Sequence, residues 1–223
     1  MKQLDAVLFD LDGTLLDSAP DFLLVTNQML TKRNKPALTL EQLQFQVSNG
    51  ARAMVRFAFE DADKEQGQFE ELKQEFLDTY LACINQRAQL YPGINNLLSY
   101  LEENNIVWGV VTNKPALYTD HVVEHFGWRT RAAVVICPDH VKHTKPNPEP
   151  LHLACNILKT TTDKCIYLGD HIRDIQAAQA ANMHSIGCEY GYLNEDENAE
   201  TWGANHLVAT PMAVIDYLKQ LQH

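Results

Sequence analysis

Ala6-Val7-Leu8-Phe9-Asp10-Leu11-Asp12-Gly13-Thr14, close to the N-terminus, decides how the rest of the chain is read. Its first four residues are an apolar run ended by a turn signal, the pattern of a strand buried on both faces. Two carboxylates then flank Leu11, and alternation sends both to one side as the chain leaves the sheet. Gly13 permits a tight turn and close backbone approach to a ligand. Ligands of open α/β sheets bind outside the carboxyl ends of the strands, which is where Asp10 and Asp12 are expected to lie. Taken alone, Asp-x-Asp-Gly reads equally as an acidic turn, since short motifs match by chance.

Further apolar runs follow at roughly Ile106–Val111, Ala133–Cys137, Cys165–Leu168, His184–Gly187 and His206–Val208. Helical patterns separate them. Leu97, Leu98 and Leu101 precede Ile106, and Val122, Val123 and Phe126 precede Gly127, a candidate residue for closing a helix. Asn147 is a candidate N-cap with Pro148 at the first helical position. Such alternation predicts an α/β fold, a mostly parallel sheet with helices on both faces.

Residues ~16–88 break the alternation, with helical periodicity and no convincing strand. Phe22, Val25 and Met29 share one stripe, as do Leu72, Phe76 and Tyr80, and Thr39-Leu40-Glu41-Gln42 fits a capping box. A block of ~70 residues is too long for an ordinary crossover. The expected organisation is an α/β core domain at 1-15 and 90-223 and an inserted helical cap domain at 16-89. The simpler alternative is that these helices cover one sheet face.

The chain has 223 residues, 45% hydrophobic and 21% charged, enough for a sizeable core and unlike a disordered protein. A net charge of −11 argues against nucleic-acid and anionic-membrane partners, which need a basic face. Five cysteines without C-x-x-C spacing, mostly in apolar runs, suit reduced thiols packed as small hydrophobes. The first apolar run is too short for a signal or membrane segment, so the expectation is a cytoplasmic protein.

The remaining chemistry-bearing residues follow the other strands. Gly169-Asp170-His171-Ile172-Arg173-Asp174 adds two carboxylates, Asp170 at a strand end and Asp174 one turn into the next helix. Carboxylates converging beside Asp10 need a cation, and hard oxygen donors with room for waters and a phosphate oxygen suit Mg²⁺. Helix capping by Asp170 is the bland reading. Thr112 ends another strand, and Asn113 and Lys114 lead into Pro115, a candidate first helical residue. A hydroxyl and backbone N–H groups at a helix start form an anion site, although a plain Thr/Asn cap is simpler. Lys145 precedes Pro146 and so favours extended backbone; its place in the ordered set makes it a candidate clamp on phosphoryl oxygens. This inventory moves a phosphoryl group: Asp10 attacks phosphorus, and Asp12 protonates the leaving oxygen and then activates water. His140 and His143 have metal-ligand spacing but read as a polar surface loop. His171 reads equally as a group tuning the site and as an exposed helix-start residue.

Over nearly its whole length the chain resembles the haloacid dehalogenase superfamily in its phosphatase branch. Asp10 to Thr14 resemble its first motif, Thr112 the second, Lys145 the third, and Gly169-Asp170 with Asp174 the fourth. The resemblance implies a Rossmann-like core with a small α-helical cap, Asp10 as nucleophile, Asp12 as acid/base, and Thr112 with Lys145 on the phosphate. It also implies Mg²⁺ held by Asp10, the Asp12 carbonyl and Asp170, with Asp174 directly or one shell out. Leu15-Leu16-Asp17-Ser18, Asn49-Gly50-Ala51-Arg52 and Tyr91-Pro92-Gly93 are similar to the phosphoglycolate phosphatase group. Arg52 would lie in the cap, where a guanidinium meets a carboxylate or second anion. That group commonly has Ser or Thr where this chain has His171. Gly-Asp-His-x-x-Asp with Gly191-Tyr192 is similar to bacterial enzymes that dephosphorylate N-acetylmuramic acid 6-phosphate. Both substrates stay open, as does a phosphosugar mutase; a dehalogenase, a dead binding module and a protein phosphatase are disfavoured. The expected partner is a small phosphorylated metabolite, with the protein a monomer or homodimer.

Overall fold

The apolar run at residues 6–9 becomes β1 (Ala6–Phe9), buried at every position and hydrogen-bonded on both sides. The computed structural model describes residues 4–60, 67–193 and 198–221. After β1 come β2 (Leu16–Asp17), α1 (Ala19–Thr31), α2 (Leu40–Val47), α3 (Gly50–Ala58), α4 (Gln68–Cys83) and β3 (Gln89–Leu90). Then follow α5 (Ile94–Glu103), β4 (Val107–Val111), α6 (Ala116–His125), β5 (Val134–Ile136) and α7 (Glu149–Leu158). The chain closes with β6 (Cys165–Gly169), α8 (Ile172–Ala180), β7 (His184–Cys188), β8 (His206–Val208) and α9 (Pro211–Leu221).

Six strands form one parallel sheet in the order β5-β4-β1-β6-β7-β8, so the fold is the expected α/β, Rossmann-like core. The strand order reverses at β1. Phe9 is level with Val110 of β4 and Leu168 of β6, so the residues leaving these three strands emerge side by side. That is the switch point where open sheets bind ligands. Burial explains the continuous apolar runs: Ala6, Leu8, Cys165 and Tyr167 pack with Leu151 and Ala154 of α7 and Ala177 and Ala178 of α8. Ile94, Leu97, Leu98 and Leu101 form the buried stripe of α5, which packs on β4 and on α9.

Several boundaries differ from expectation for local reasons. Ile106 stays outside β4 because its N–H donates to Leu101 O at 2.9 Å, closing α5. Pro115 is not the first helical residue: its ψ of 148° is extended, and α6 opens at Ala116. Asn147 Oδ1 accepts the Glu149 N–H at 3.0 Å, but the helix begins at Glu149, one residue later than expected. Gly127, at φ +66°, follows the end of α6 in the left-handed conformation that a side chain disfavours.

The chain divides into two compact units, Met1–Leu16 with Leu90–His223, and Asp17–Gln89. The second holds α1 to α4. Its core joins the two expected stripes: the Phe22 and Tyr80 rings stack at 4.4 Å, with Phe76 6.1 Å from Phe22. Thr39 and Gln42 close the capping box, with Thr39 N–H donating to Gln42 Oε1 at 2.9 Å. Asp21, fully buried on α1, accepts the N–H groups of Asn85, Arg87 and Ala88 at 2.7, 2.6 and 3.1 Å. A carboxylate saturated in this way ties the segment after α4 to the start of α1. The two-residue β2 and β3, which pair with each other, were not expected, because two residues carry no readable period.

All five cysteines are free and buried. Among the described residues no helix is long and apolar enough to cross a membrane.

Candidate active site

Three neighbouring strand ends deliver the site. Asp10 leaves β1 with its N–H donating to Leu168 O at 2.8 Å, and Thr112 leaves β4 with its N–H donating to Ile136 O at 2.9 Å. Asp170 follows β6 directly. The loop carrying Asp12 is closed on itself: Leu11 O accepts the N–H groups of Leu15 and Leu16 at 3.0 and 2.9 Å, and Gly13 N–H donates to Leu16 O at 2.8 Å. His171, rather than Asp170, caps α8, and its N–H donates to Asp174 Oδ2 at 3.2 Å. The capping contact turns the Asp174 side chain back toward the strand ends.

Asp10, Asp170 and Asp174 each bring a carboxylate oxygen within 4.8 Å of the others. Lys145, buried from a loop, is their local cation, 2.8 Å from Asp10 Oδ1 and 2.7 Å from Asp174 Oδ1. Its ammonium also donates to Tyr167 Oη at 2.7 Å and Val111 O at 3.0 Å. Burial alone would lower the Lys145 pKa, but the Asp10 and Asp174 carboxylates outweigh it and hold the pKa above the ordinary lysine value. One ammonium does not neutralise three clustered carboxylates, two of them buried, and the surplus shows on the others. Burial, followed by repulsion from Asp10 and Asp174, pushes Asp170 well above the usual carboxylate range. Burial also raises Asp174, despite Lys145 beside it.

The backbone makes room for these acids. Gly13, at φ +89°, faces Asp170 so closely that an added Cβ would lie 2.0 Å from its Oδ2. At Gly191 a Cβ would meet Asp170 Cβ at 2.2 Å. Asp170 is held there by Thr14 Oγ1, which donates to Oδ1 at 3.0 Å, and by the Tyr192 N–H, which donates to Oδ2 at 3.0 Å.

The other sequence-chosen residues fall in different places. Thr112 is buried, and its Oγ1 accepts the Lys114 N–H at 3.1 Å. Asn113 spans the Lys145 backbone: its Nδ2 donates to Lys145 O at 3.0 Å and its Oδ1 accepts Lys145 N–H at 3.1 Å. Its amide therefore fixes the Lys145 loop. Arg52, on α3 in the second unit, is exposed; its guanidinium donates twice to Glu70 Oε1, at 2.9 and 2.8 Å, and lies over the Phe69 ring. His140 and His143 are both exposed, but a carboxylate does approach this loop: His143 Nδ1 is 2.9 Å from Glu149. His171 Nδ1 accepts from both the backbone and the side chain of Arg173 at 3.1 Å.

Three residues at the site were given no role of their own by the sequence. Lys114 Nζ sits 3.0 Å from both carboxylate oxygens of Asp12. Tyr167 Oη donates to Val111 O at 2.7 Å beside Lys145, and burial raises its pKa well above the ordinary value, keeping it a neutral donor. Thr14 braces Asp170. Only Thr14 carried a local signal, as the polar residue after Gly13.

The model of the haloacid dehalogenase-like hydrolase family matches residues 7–188. The chain belongs to that family. This hydrolase is 42% identical over 94% of its length to an N-acetylmuramic acid 6-phosphate phosphatase of Pseudomonas putida, covering 94% of that protein. It is 44% identical to a phosphoglycolate phosphatase of Xanthomonas campestris, over 92% of each chain. Its structure superposes with TM-score 0.86 on a protein from Haemophilus somnus described as a predicted phosphoglycolate phosphatase. That match covers 98% of this hydrolase and 99% of the other chain at 25% identity.

Proposed function

We propose that this chain is a Mg²⁺-dependent phosphomonoester hydrolase acting on a small phosphorylated metabolite through an aspartyl-phosphate intermediate. Phosphatase chemistry is common to its curated relatives and suits its own site. The observation that carries the reading is Lys145, whose buried ammonium touches Asp10 and Asp174 where three strand ends meet. Asp10 is the nucleophile: one carboxylate oxygen bonds to phosphorus as the bond to the leaving oxygen breaks, and Asp12 supplies the leaving oxygen's proton. Water then attacks phosphorus, the Asp10–phosphorus bond breaks, and the water's proton passes to Asp12. Lys145 and Thr112 hold the phosphoryl oxygens, and Asn113 supports them by holding the Lys145 loop. Buried hard oxygens with surplus negative charge fit a divalent cation: Asp10, Asp170, Asp174 and the Asp12 carbonyl would hold Mg²⁺, which supplies the missing positive charge. The helical unit serves as a cap, with Arg52 as its candidate anion contact.

Two substrates follow from the relatives, 2-phosphoglycolate and N-acetylmuramic acid 6-phosphate. His171, the N-cap of α8, holds the Arg173 guanidinium through two ring contacts that Ser or Thr at this position would not make. Phosphate release with Mg²⁺ from both compounds, glucose 1-phosphate and an aryl phosphate tests the proposal. Preferred release from one of the first two is expected. Glucose 1-phosphate converted to the 6-phosphate without release would make the protein a mutase instead.

Metal and proton compete for the same acids. Asp170 and Asp174 have folded-state pKa values raised above their unfolded ones, so the folded state binds more protons above the ordinary carboxylate range. Their contribution is full below that range and is lost as pH rises through the raised values. Mg²⁺ binds the ionised acids in competition with protons, so its stabilising shift of Tm is expected to be larger at pH 8 than at pH 5. Asp170→Asn should flatten that difference, and an equal shift at both pH values in the wild type would refute it.

A further inference from the structure

Lys114 lies outside the acid cluster of Asp10, Asp170 and Asp174, and the chemistry above gives it no role. Lys114 is buried, and its Nζ lies 3.0 Å from Asp12 Oδ1 and 3.0 Å from Oδ2. An ammonium equidistant from both oxygens fixes the carboxylate's direction as well as its position. Lys114 is itself held at both backbone ends: its N–H donates to Thr112 Oγ1 at 3.1 Å, and its O accepts from Thr119 Oγ1 at 3.1 Å. The following Pro115 is extended at ψ 148°, so the chain turns into α6 only beyond it. On the other side, the closed Leu11–Leu16 loop holds the Asp12 backbone. This ion pair ties the two strand-end loops to each other across a sequence separation of 102 residues.

We propose that Lys114 is a positioning residue for Asp12, holding its carboxylate in the one orientation from which it exchanges a proton with the leaving oxygen and with water. The inference rests on Asp12 being the acid/base. A carboxylate on a short side chain at a turn samples several rotamers, and misplacement by an ångström costs about 100-fold in rate. Lys114 Nζ pairs with Asp12, whereas Lys145 Nζ pairs with Asp10 and Asp174. The two lysines divide the work: one serves the nucleophile, the other the proton carrier.

A cycle of Lys114→Met, Asp12→Asn and the double variant, assayed on an alkyl phosphomonoester with Mg²⁺, tests this. Lys114→Met is expected to lower kcat by about 30-fold or more, within the span of general acid–base effects, with KM changed by less than about 3-fold. In the Asp12→Asn background the same substitution should cost less than about 3-fold, because the group it positions is already gone. Multiplicative losses would show that Lys114 acts independently of Asp12 and overturn the proposal. So would a raised KM with unchanged kcat, which marks a phosphate-binding cation. Undiminished kcat in Asp12→Asn alone would overturn the acid/base role of Asp12 and the positioning role with it. Melting curves accompany each variant, and if Lys114→Met melts below the assay temperature, Lys114→Gln, which keeps a donor and loses the charge, is read by the same criteria.

Discussion

Asp10→Asn is expected to reduce phosphate release by at least about four orders of magnitude, since removal of a covalent nucleophile disables both chemical steps. The amide is neutral, and its oxygen is a poor nucleophile. Stability should move the other way. Asp10 is one of three carboxylates with oxygens within 4.8 Å, and it repels both Asp170 and Asp174. Removing its charge leaves Lys145 paired with Asp174 at 2.7 Å and lessens the surplus negative charge. Metal-free Asp10→Asn should therefore melt no lower than the wild type while being inactive. Steady-state phosphate release and thermal melting of the same preparation check both halves. Activity lost together with stability would mean that the residue matters for folding rather than for attack.

Lys145→Met is expected to be the most destabilising change at the site. The methionine fills the same volume, but Asp10 and Asp174 lose the ammonium that lies 2.8 and 2.7 Å from them. Removing one partner of a buried ionic cluster costs about 3–5 kcal/mol. For a chain of this size that corresponds to a Tm lower by roughly 6–20 °C. Tyr167 Oη and Val111 O also lose a donor. Mg²⁺ should recover part of the loss, because it answers the same negative charge. Differential scanning calorimetry with and without Mg²⁺ gives the answer; a Tm within a few degrees of wild type in chelator would show that the three acids do not depend on Lys145.

The sheet was legible because its central strands are largely buried on both faces and so read as apolar runs, each strand observed within a residue or two of its expected place. The strand boundaries slipped where a neighbouring element took a backbone group, as Leu101 O takes the Ile106 N–H. Asp10, Asp170 and Asp174 were legible because each is a charged residue at the end of such a run or one turn beyond it. Lys114 was passed over because it read as the approach to Pro115. Its meaning depends on Asp12, which meets it only after β1 and β4 have paired. Tyr167 looked like one more core residue of β6, and its hydroxyl gains a role only when Lys145 arrives beside it. Asn113 and Arg52 were chosen as anion contacts, and in the structure Asn113 bonds to the Lys145 backbone and Arg52 to Glu70.

The sequence by itself determined which residue types leave which strands, because burial and turn chemistry are local and leave a period or a punctuation mark in the chain. Only the tertiary structure decided which of those residues face one another. The parallel pairing of β1 with both β4 and β6 brings Asp10, Thr112 and Asp170 to one edge. From there, which ammonium meets which carboxylate is a matter of distances between segments tens of residues apart, and charge acts through space rather than along the chain.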